Sequence, residues 1–215
     1  MARPVKRNRP YHAPRRVAAA AQTREAILQA ARHQFETYGW AGTTIAAVAA
    51  DAQVSRKTVE ALFATKPALL TAVVDYTIRG DTADVPMVQR AAGQAVENAP
   101  TAAAMLERHI EHAIPITQRS ARIAGVVESA AASDERISQL WNRMTHNRRF
   151  GARWAAETLL TKPGIRPDLT ITQAEQLFLI AIDWATYRTL STELDLTTCQ
   201  IQTWLRDLYR RVFLD

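Results

Sequence analysis

Four consecutive polar residues, Ser55 to Thr58, open a short helical pattern whose opposite face is apolar through Val59, Leu62 and Phe63. Arginine binds guanine through two hydrogen bonds, and lysine and threonine reach base edges or phosphates. A serine at the start of such a pattern also caps the helix, since its side chain accepts a hydrogen bond from a free backbone N–H. The spacing predicts a helix that packs one face on a small domain and offers the other to DNA. Its candidate DNA contacts are Ser55, Arg56, Lys57 and Thr58.

Glu60 lies among these cationic residues, where a carboxylate that faces phosphate is repulsive. It can accept a hydrogen bond from the N4 amino group of cytosine, or pair with Arg56 or Lys57 on the same helix. We favour the ion pair, in which Glu60 orients the basic side chains and penalises non-specific DNA.

Another short helical pattern precedes this one, and the tripeptide AQV at residues 52–54 joins the two. Two short helices around a tight turn form a helix-turn-helix, whose second helix lies in the DNA major groove. Thr44 and Lys66 stand where the flanking helices begin, and free backbone N–H groups at helix starts attract phosphate. We therefore add Thr44 and Lys66 to the candidate DNA contacts.

Basic residues are concentrated towards the N-terminus. Residues 1–80 hold 12 Lys and Arg against 5 Asp and Glu, whereas residues 81–215 hold 15 against 16. Residues 1–21 contain six basic residues, three prolines and no acid, which is typical of a disordered arm that contacts a polyanion. A solubilising tail is the alternative. The arm residues assigned to DNA are Arg7, Arg9, Arg15 and Arg16.

Helical periodicity dominates the rest of the chain and predicts an all-α fold. The first helix is expected from about Gln22 to Tyr38, with Gly39 as its stop, inside a three-helix DNA-binding domain at residues 22–80. A break rich in Pro and Gly at residues 81–100 begins a helical ligand-binding and dimerisation domain at residues 81–215. Its helices are expected from Thr101, with a kink at Pro115, and then at residues 121–132, 134–160, 172–190 and 197–213.

Several classes of protein find no support in the sequence. No window reaches the roughly 18 apolar residues of a membrane span, and the basic N-terminus lacks the apolar stretch of a secretory signal. The single Cys199 rules out an intramolecular disulfide and suits a reducing cytoplasm. We find no nucleophile elbow, phosphate-binding loop, zinc-protease helix or glycine-rich dinucleotide turn. We therefore assign no catalytic residues, metal or cofactor.

A stripe with two histidines follows Thr101. Histidines three residues apart hint at metal binding, but two ligands without a nearby cysteine do not make a site. We expect the stripe to line the polar edge of a cavity, with core packing as the alternative. The candidate ligand-binding residues are Met105, His109, His112, Trp141, Met144 and Phe178. The run HNRR at residues 146–149 could bind an acid group, but we interpret it as a solvated helix face.

Residues 23–74 resemble the DNA-binding domain of the tetracycline-repressor (TetR) family. The matching residues are Ala30-Ala31, Phe35, Gly39, Gly42-Thr43-Thr44, Ile45, Val48-Ala49, Ala52, Val54-Ser55, Thr58, Phe63 and Lys66. Two positions depart from the family. Gln53 replaces the usual glycine of the turn, at a cost of roughly 1 kcal/mol if the backbone there is left-handed. Glu60 replaces an aromatic residue that often contacts DNA.

The resemblance implies a homodimer whose C-terminal bundle binds a small effector. The family position of the last two helices implies that they form the dimer interface, although their apolar stripes fit an intrachain core equally well. We therefore expect a cytoplasmic regulator, by family mostly a repressor, that binds a double-stranded DNA operator and releases it on binding a small molecule. The alternatives are an architectural DNA-binding protein without an effector, and an all-α enzyme with a basic tail.

Overall fold

The computed structural model describes residues 13–81, 83 and 85–214, with side chains from residue 16 onwards. This part of the chain is all-α, as predicted, and its extended backbone pairs only at an isolated bridge between Ile165 and Leu214. A 3₁₀ turn at Met87–Gln89 and a π-helical turn at Thr189–Glu193 accompany the α-helices. These are α1 (Ala13–Gly42), α2 (Ile45–Asp51), α3 (Arg56–Phe63), α4 (Lys66–Arg79), α5 (Ala91–Glu97), α6 (Ala102–Ala130), α7 (Glu135–Leu160), α8 (Ile171–Ala181), α9 (Trp184–Arg188) and α10 (Thr198–Phe213).

Helix α1 begins at Ala13, well before the predicted start at Gln22. Proline is tolerated in the first turn of a helix, where Pro14 stands, and the alanines from Ala18 to Ala21 have high helix propensity. The expectation of a disordered arm therefore does not hold for residues 13–21, which are helical. The rest of the expected arm, residues 1–12, lies outside the described residues.

The regular part of α1 ends at Gly39, as predicted. Its φ of 67° and ψ of −175° leave the helical region, which glycine does without a Cβ penalty. Because the chain turns here, Tyr38 is 58% exposed and lies outside the buried face of α1. The ring of Trp40 instead stacks on Phe35, with 6.1 Å between ring centroids.

Three side-chain caps fix the starts of α2, α3 and α4. The side chains of Thr44, Ser55 and Thr65 each accept a hydrogen bond from a backbone N–H in the first turn of the helix that follows. Each such cap contributes about 1 kcal/mol. The buried apolar residues that these helices share with α1 include Ile27, Ala31, Phe35, Val48, Val59, Phe63, Leu69 and Leu70. Local capping and this core together hold α3 with its polar face outwards.

The larger bundle is organised around α6, which continues through Pro115. The separate helix predicted at residues 121–132 is therefore wrong, because this segment is the second half of α6. Proline removes one hydrogen bond of the helix, but buried side chains anchor α6 on both sides of it. They include Leu106 and Ile110 before Pro115 and Ile123 and Val127 after it.

The helix predicted at residues 172–190 is divided. It breaks at residues 182–183, between α8 and α9, where the carboxylate of Asp183 accepts a hydrogen bond from the N–H of Ala185 at 3.2 Å. An aspartate that caps a new helix competes with continuation of the old one. The same carboxylate pairs with Arg148 on α7, so the break also joins two helices of the bundle.

Helix α4 is linked by hydrogen bonds to α6 of the bundle, and α6 is linked in turn to α1. Arg119 on α6 donates hydrogen bonds to the carbonyl oxygens of Thr77 at 3.2 Å and Ile78 at 2.9 Å, near the end of α4. Both carbonyl groups lie in the last turn of α4, and the carbonyl groups in the last turn of a helix have no hydrogen-bond partner inside the helix. Arg32 on α1 donates to the carbonyl oxygen of Arg119 at 2.9 Å. The end of α4 is thereby fixed to α6, and α6 to α1.

Among the described residues, no single helix is long and apolar enough to cross a membrane. The pair α3 and α4 meets the length and composition criteria together, but it is bent by 73°. The apolar residues Leu69, Leu70, Val73 and Val74 of α4 are buried in the core of the protein.

Candidate DNA-binding surface and ligand cavity

Helix α3 turns Arg56 and Lys57 to solvent. Ser55 Oγ accepts a hydrogen bond from the N–H of Thr58 at 3.1 Å and lies 2.8 Å from the Thr58 hydroxyl. The two hydroxyl groups are thus engaged with each other at the start of the helix. The long cationic side chains of Arg56 and Lys57 are therefore the groups best placed to reach outwards.

Arg56 pairs with Glu60 one helical turn away, with 2.7 Å between Nε and Oε1. The ion pair that we expected for Glu60 is thus present. Both side chains remain in water, 68% and 40% exposed, and an exposed pair at this spacing contributes only about 0.3–0.5 kcal/mol. Glu60 therefore orients Arg56 without committing it, and Arg56 can leave for a guanine edge at small cost.

The turn before α3 is strained. Gln53 has a φ of 55°, in the left-handed region that favours glycine. The backbone cost that we attached to the replacement of glycine by Gln53 therefore applies. Ala64, which follows α3, has a φ of 52°. A residue with a Cβ costs roughly 1 kcal/mol in this region. The backbone at both ends of α3 is therefore held in place by the surrounding structure.

Lys66 is bound inside the domain. Its ammonium donates to the carbonyl oxygen of Trp40 and lies 4.3 Å from the centre of the Trp40 ring, while burial lowers the pKa of Lys66. Lys66 therefore ties the start of α4 to the end of α1, and only its remaining N–H groups are left for phosphate. The residue that caps α4 is Thr65, whose Oγ1 accepts from the N–H of Ala68 at 3.2 Å. A threonine shortly before a proline was the sequence signal for this cap.

The structure describes the side chains of only some of the remaining candidates for DNA binding. Thr44 is exposed at the start of α2, where its Oγ1 accepts from the N–H of Ala47 at 3.1 Å. Arg16 is exposed on α1, and Arg15 lies in the same helix without a described side chain. Arg7 and Arg9 lie outside the described residues.

A cavity of about 390 Å³ lies within the bundle, with walls from α4, α6, α7, α8 and α9. This volume is within the range of small-molecule sites. The predicted residues that line it are His109, His112, Met144 and Phe178. Met105 and Trp141 do not line it, contrary to expectation. Met105 is completely buried in the core, and Trp141 packs on Trp184 with 5.8 Å between ring centroids.

The two histidines of the wall are neutral at neutral pH. Burial, and to a lesser extent the charge of His112, lowers the pKa of His109 to about 3; burial and then Arg119 lower the pKa of His112. His109 Nδ1 lies 3.5 Å from the buried hydroxyl of Tyr209, which has no other partner in the described part of the chain. The described residues contain no group of three or more His, Cys, Asp or Glu that could hold a metal ion.

The sequence interpretation missed the charged part of the cavity wall. Arg143, Asn147 and Arg148 of α7 line the cavity, although we assigned residues 146–149 to a solvated face. Arg149 is exposed, as that interpretation requires, but Arg148 pairs inwards with Asp183. The signal was present in the spacing, because Asn147 and Arg148 follow Met144 by three and four residues. Phe150, Trp154 and Trp184 add aromatic side chains to the wall.

Solved structures show a similar fold. A protein from Saccharomonospora viridis, described as a transcriptional regulator in complex with choline, aligns with a TM-score of 0.68 and 16% identity over 90% of this chain and 98% of that one. NalD from Pseudomonas aeruginosa, described as the secondary repressor of the MexAB-OprM multidrug efflux pump, aligns with a TM-score of 0.67 and 16% identity over 91% and 98%. A Clostridium perfringens protein described as a fatty acid metabolism regulator aligns with a TM-score of 0.60 and 17% identity over 84% and 94%.

At these identities the structural likeness concerns the fold. A search of curated proteins gives no match. Residues 27–73 match the family model of bacterial regulatory proteins, tetR family, and this segment contains α2, α3 and the turn between them. Residues 27–73 therefore carry the DNA-binding domain of the tetR family of bacterial regulatory proteins.

Proposed function

We propose that the protein is a repressor whose bundle cavity controls how α3 meets DNA. The observation that carries this proposal is the position of α4. This helix begins three residues after α3 ends, and its residues Val74, Asp75 and Ile78 line the cavity. A ligand that prefers one position of α4 shifts the population of chains whose α3 is placed for the operator. An architectural DNA-binding protein needs no cavity beside α4, so the cavity favours an effector.

Two contacts make α4 responsive to the bundle. Asp75 on α4 pairs with Arg143 on α7 at 3.1 Å, and both residues line the cavity. Arg119 holds the carbonyl oxygens of Thr77 and Ile78, less than one turn further along the helix. A ligand that displaces Arg143 frees Asp75 while Arg119 still holds the end of α4, so the helix can tilt. Coupling energies of about 1–3 kcal/mol are sufficient for a regulatory response.

On DNA, α3 lies in the major groove and Arg56 reads a base edge. The contacts to the sugar-phosphate backbone of the DNA come from Thr44, Ser55, Lys57, Thr58 and Lys66. The arginines of the N-terminal segment, Arg7, Arg9, Arg15 and Arg16, follow the phosphates beside α1. Each phosphate that they neutralise adds about 0.9 to the slope of log K against log salt. Removal of residues 1–16 should flatten this slope.

The regulator acts as a homodimer through α8 and α10. The inward stripes of these helices belong to the core of one chain, since Ala174, Phe178, Ala181, Ile201, Leu205 and Phe213 are buried. The interface therefore uses the outer faces, where Ile180 is 65% and Trp204 is 37% exposed. A two-fold dimer buries the same patch of both copies and presents two copies of α3 to an operator with matching symmetry.

Two structural neighbours support parts of this proposal. NalD is a repressor, and the Saccharomonospora viridis protein is in complex with a small molecule, choline. Choline itself is not favoured as the effector of this chain. Asp75 is the carboxylate among the described lining residues, and Arg143 already occupies it.

Selection of duplexes from a random library by the full-length chain tests the DNA-binding half of the proposal. The selected sites should be inverted repeats whose half-site centres lie about 10 base pairs apart. Fluorescence anisotropy on the best site then gives the affinity, and a library of small molecules is screened for release. A chain that binds its operator and is released by no compound favours the architectural alternative.

Gly151 allows the cavity itself to be tested. This residue lines the cavity, and a Cβ at its position meets no atom within 4 Å. Gly151→Leu should keep operator affinity but lose the response to any compound that releases the parent chain. Ala103→Leu, an exposed position on α6, is the matched control and should keep both properties. Release of Gly151→Leu at parental concentrations of the compound would place the effector elsewhere.

A further inference from the structure

The charged groups of the cavity wall are few, and most of them are paired. Among the described lining residues they are Asp75, Arg143 and Arg148. Asp75 and Arg143 bind each other at 3.1 Å, and the histidines of the wall are neutral because burial lowers their pKa values. Most of the remaining lining side chains are apolar or aromatic. Arg148 is therefore the charged group with the most binding capacity left for a ligand.

Arg148 uses one side of its guanidinium. Nη1 donates to the Asp183 carboxylate and to the carbonyl oxygen of Leu179 at 3.4 Å. Nε is buried without a hydrogen-bond partner, and Nη2 donates to none of the described residues. The guanidinium carbon lies 5.4 Å from the centre of the Trp184 ring. A buried donor without a partner is rare in proteins. Because Nε has almost no exposed surface in this conformation, the guanidinium has to turn slightly before a bound acceptor can reach Nε.

Asp183 cannot accept hydrogen bonds from the Nε and Nη2 groups of Arg148. Its other carboxylate oxygen accepts a hydrogen bond from the N–H of Ala185 at 3.2 Å and caps α9. The aspartate is thus held at Nη1 by its role in the fold. The Nε and Nη2 hydrogens of a guanidinium lie parallel and match the two oxygens of a carboxylate.

We infer, on the basis of the ligand response proposed above, that the effector is an organic carboxylate with an apolar body. Its carboxylate binds the Nε–Nη2 side of Arg148, and its body lies against Met144, Phe178 and Trp184 of the cavity wall. A cationic ligand meets two guanidinium groups and a carboxylate that is already paired. A neutral amide offers one acceptor oxygen where the guanidinium takes two.

Three ligands with one apolar body test this inference on the full-length chain. Isothermal titration with 4-phenylbutanoate, 4-phenylbutanamide and 4-phenylbutylammonium compares a carboxylate, a neutral amide and a cation. We expect the carboxylate to bind at least about ten-fold more tightly than the amide, and the ammonium to bind weakest, because hydrogen bonds to an ionised acceptor are roughly twice as strong as neutral ones. Equal or tighter binding of the amide or the ammonium overturns the inference. So does the absence of binding by all three at about millimolar concentration.

Substitution of Arg148 locates the head group. Arg148→Lys keeps a positive charge for Asp183 but loses the planar pair of donors, so carboxylate affinity should fall about ten-fold or more while amide affinity changes little. Arg149→Lys, on the exposed next position of α7, is the matched control and should bind as the parent does. Equal carboxylate affinity of the two variants overturns the inference. The comparison of ligands on the parent chain stays valid even if Arg148→Lys folds poorly.

Operator binding separates this inference from the proposed function. A carboxylate that binds through Arg148 and leaves operator affinity unchanged supports the head-group assignment and contradicts the ligand response. A compound without an anionic group that binds the cavity and releases the operator supports the ligand response and overturns the assignment.

Discussion

Arg56 in the DNA-binding domain and Arg148 in the bundle each pair with a carboxylate, in opposite settings. Arg56 meets Glu60 one turn away and is 68% exposed, whereas Arg148 meets Asp183, 35 positions along the chain, and is 27% exposed. An exposed pair is weak and readily exchanged, while a largely buried one becomes strongly destabilising when one partner is lost. The proposed DNA-binding surface therefore keeps its cation available to an outside partner, and the bundle uses its pair to shape a cavity.

The largest expected effect comes from breaking the buried pair. Asp183→Ala leaves the charge of Arg148 without a partner and removes the cap of α9, so the free energy of unfolding should fall by about 3 kcal/mol. Urea denaturation measures this change. The matched control is Glu60→Ala, which removes the carboxylate of the exposed pair and should change stability by no more than about 0.5 kcal/mol. Similar losses in the two variants would mean that the two pairs are energetically equivalent.

Substitutions of Arg56 on α3 and of Lys66 on α4 should weaken DNA binding in different ways. Arg56→Ala should weaken operator binding by about 1–3 kcal/mol and relax preference at one base pair, because it removes a base-reading side chain. Lys66→Ala should weaken all duplexes more evenly and also reduce stability, since Lys66 binds Trp40. Anisotropy with operator and scrambled duplexes measures both. An unchanged ratio between the two duplexes for Arg56→Ala would show that another residue reads the base.

The features that the sequence predicted are those set by neighbouring residues. The cap at Ser55, the stop at Gly39 and the pair of Arg56 with Glu60 each depend on a few consecutive positions, so spacing is enough to find them. The left-handed backbone at Gln53 is likewise a property of one turn. Predictions for α3 therefore needed no knowledge of the rest of the molecule.

The features that escaped prediction depend on contacts between distant segments. Arg148 faces inwards because Asp183 lies beside it in space, and α6 continues through Pro115 because packing on both sides outweighs one lost hydrogen bond. Periodicity placed Met105 and His109 on one stripe, but only the packed bundle determines that the cavity reaches His109 and not Met105. Local patterns identify the faces of helices, and tertiary packing decides where a cavity opens.

A smaller effect on stability is expected at Gln53, in the strained turn before α3, and no effect on DNA binding. Gln53→Gly should raise the free energy of unfolding by up to about 1 kcal/mol, because glycine adopts the left-handed backbone without a Cβ penalty. The neighbouring Ala52 has a right-handed φ of −78°, so Ala52→Gly is the matched control and should lower stability by about 0.5–1 kcal/mol. Operator affinity should stay unchanged in Gln53→Gly. A large loss of affinity would mean that the Gln53 side chain contacts DNA.

The smallest effect tests what the exposed pair of α3 does for selectivity. Glu60→Gln removes a negative charge that lies near phosphates when α3 is on DNA, so affinity for random duplexes should rise about two- to three-fold at moderate salt. Operator affinity should rise less, because the neutral amide of this variant orients Arg56 less firmly than the carboxylate does. The ratio between operator and random DNA should therefore narrow. Glu157→Gln, an exposed acid of the bundle that pairs with Arg153 one turn away, is the control and should change neither affinity. Weaker binding of both duplexes would instead mean that Glu60 acts mainly by holding Arg56 in place, with charge repulsion secondary.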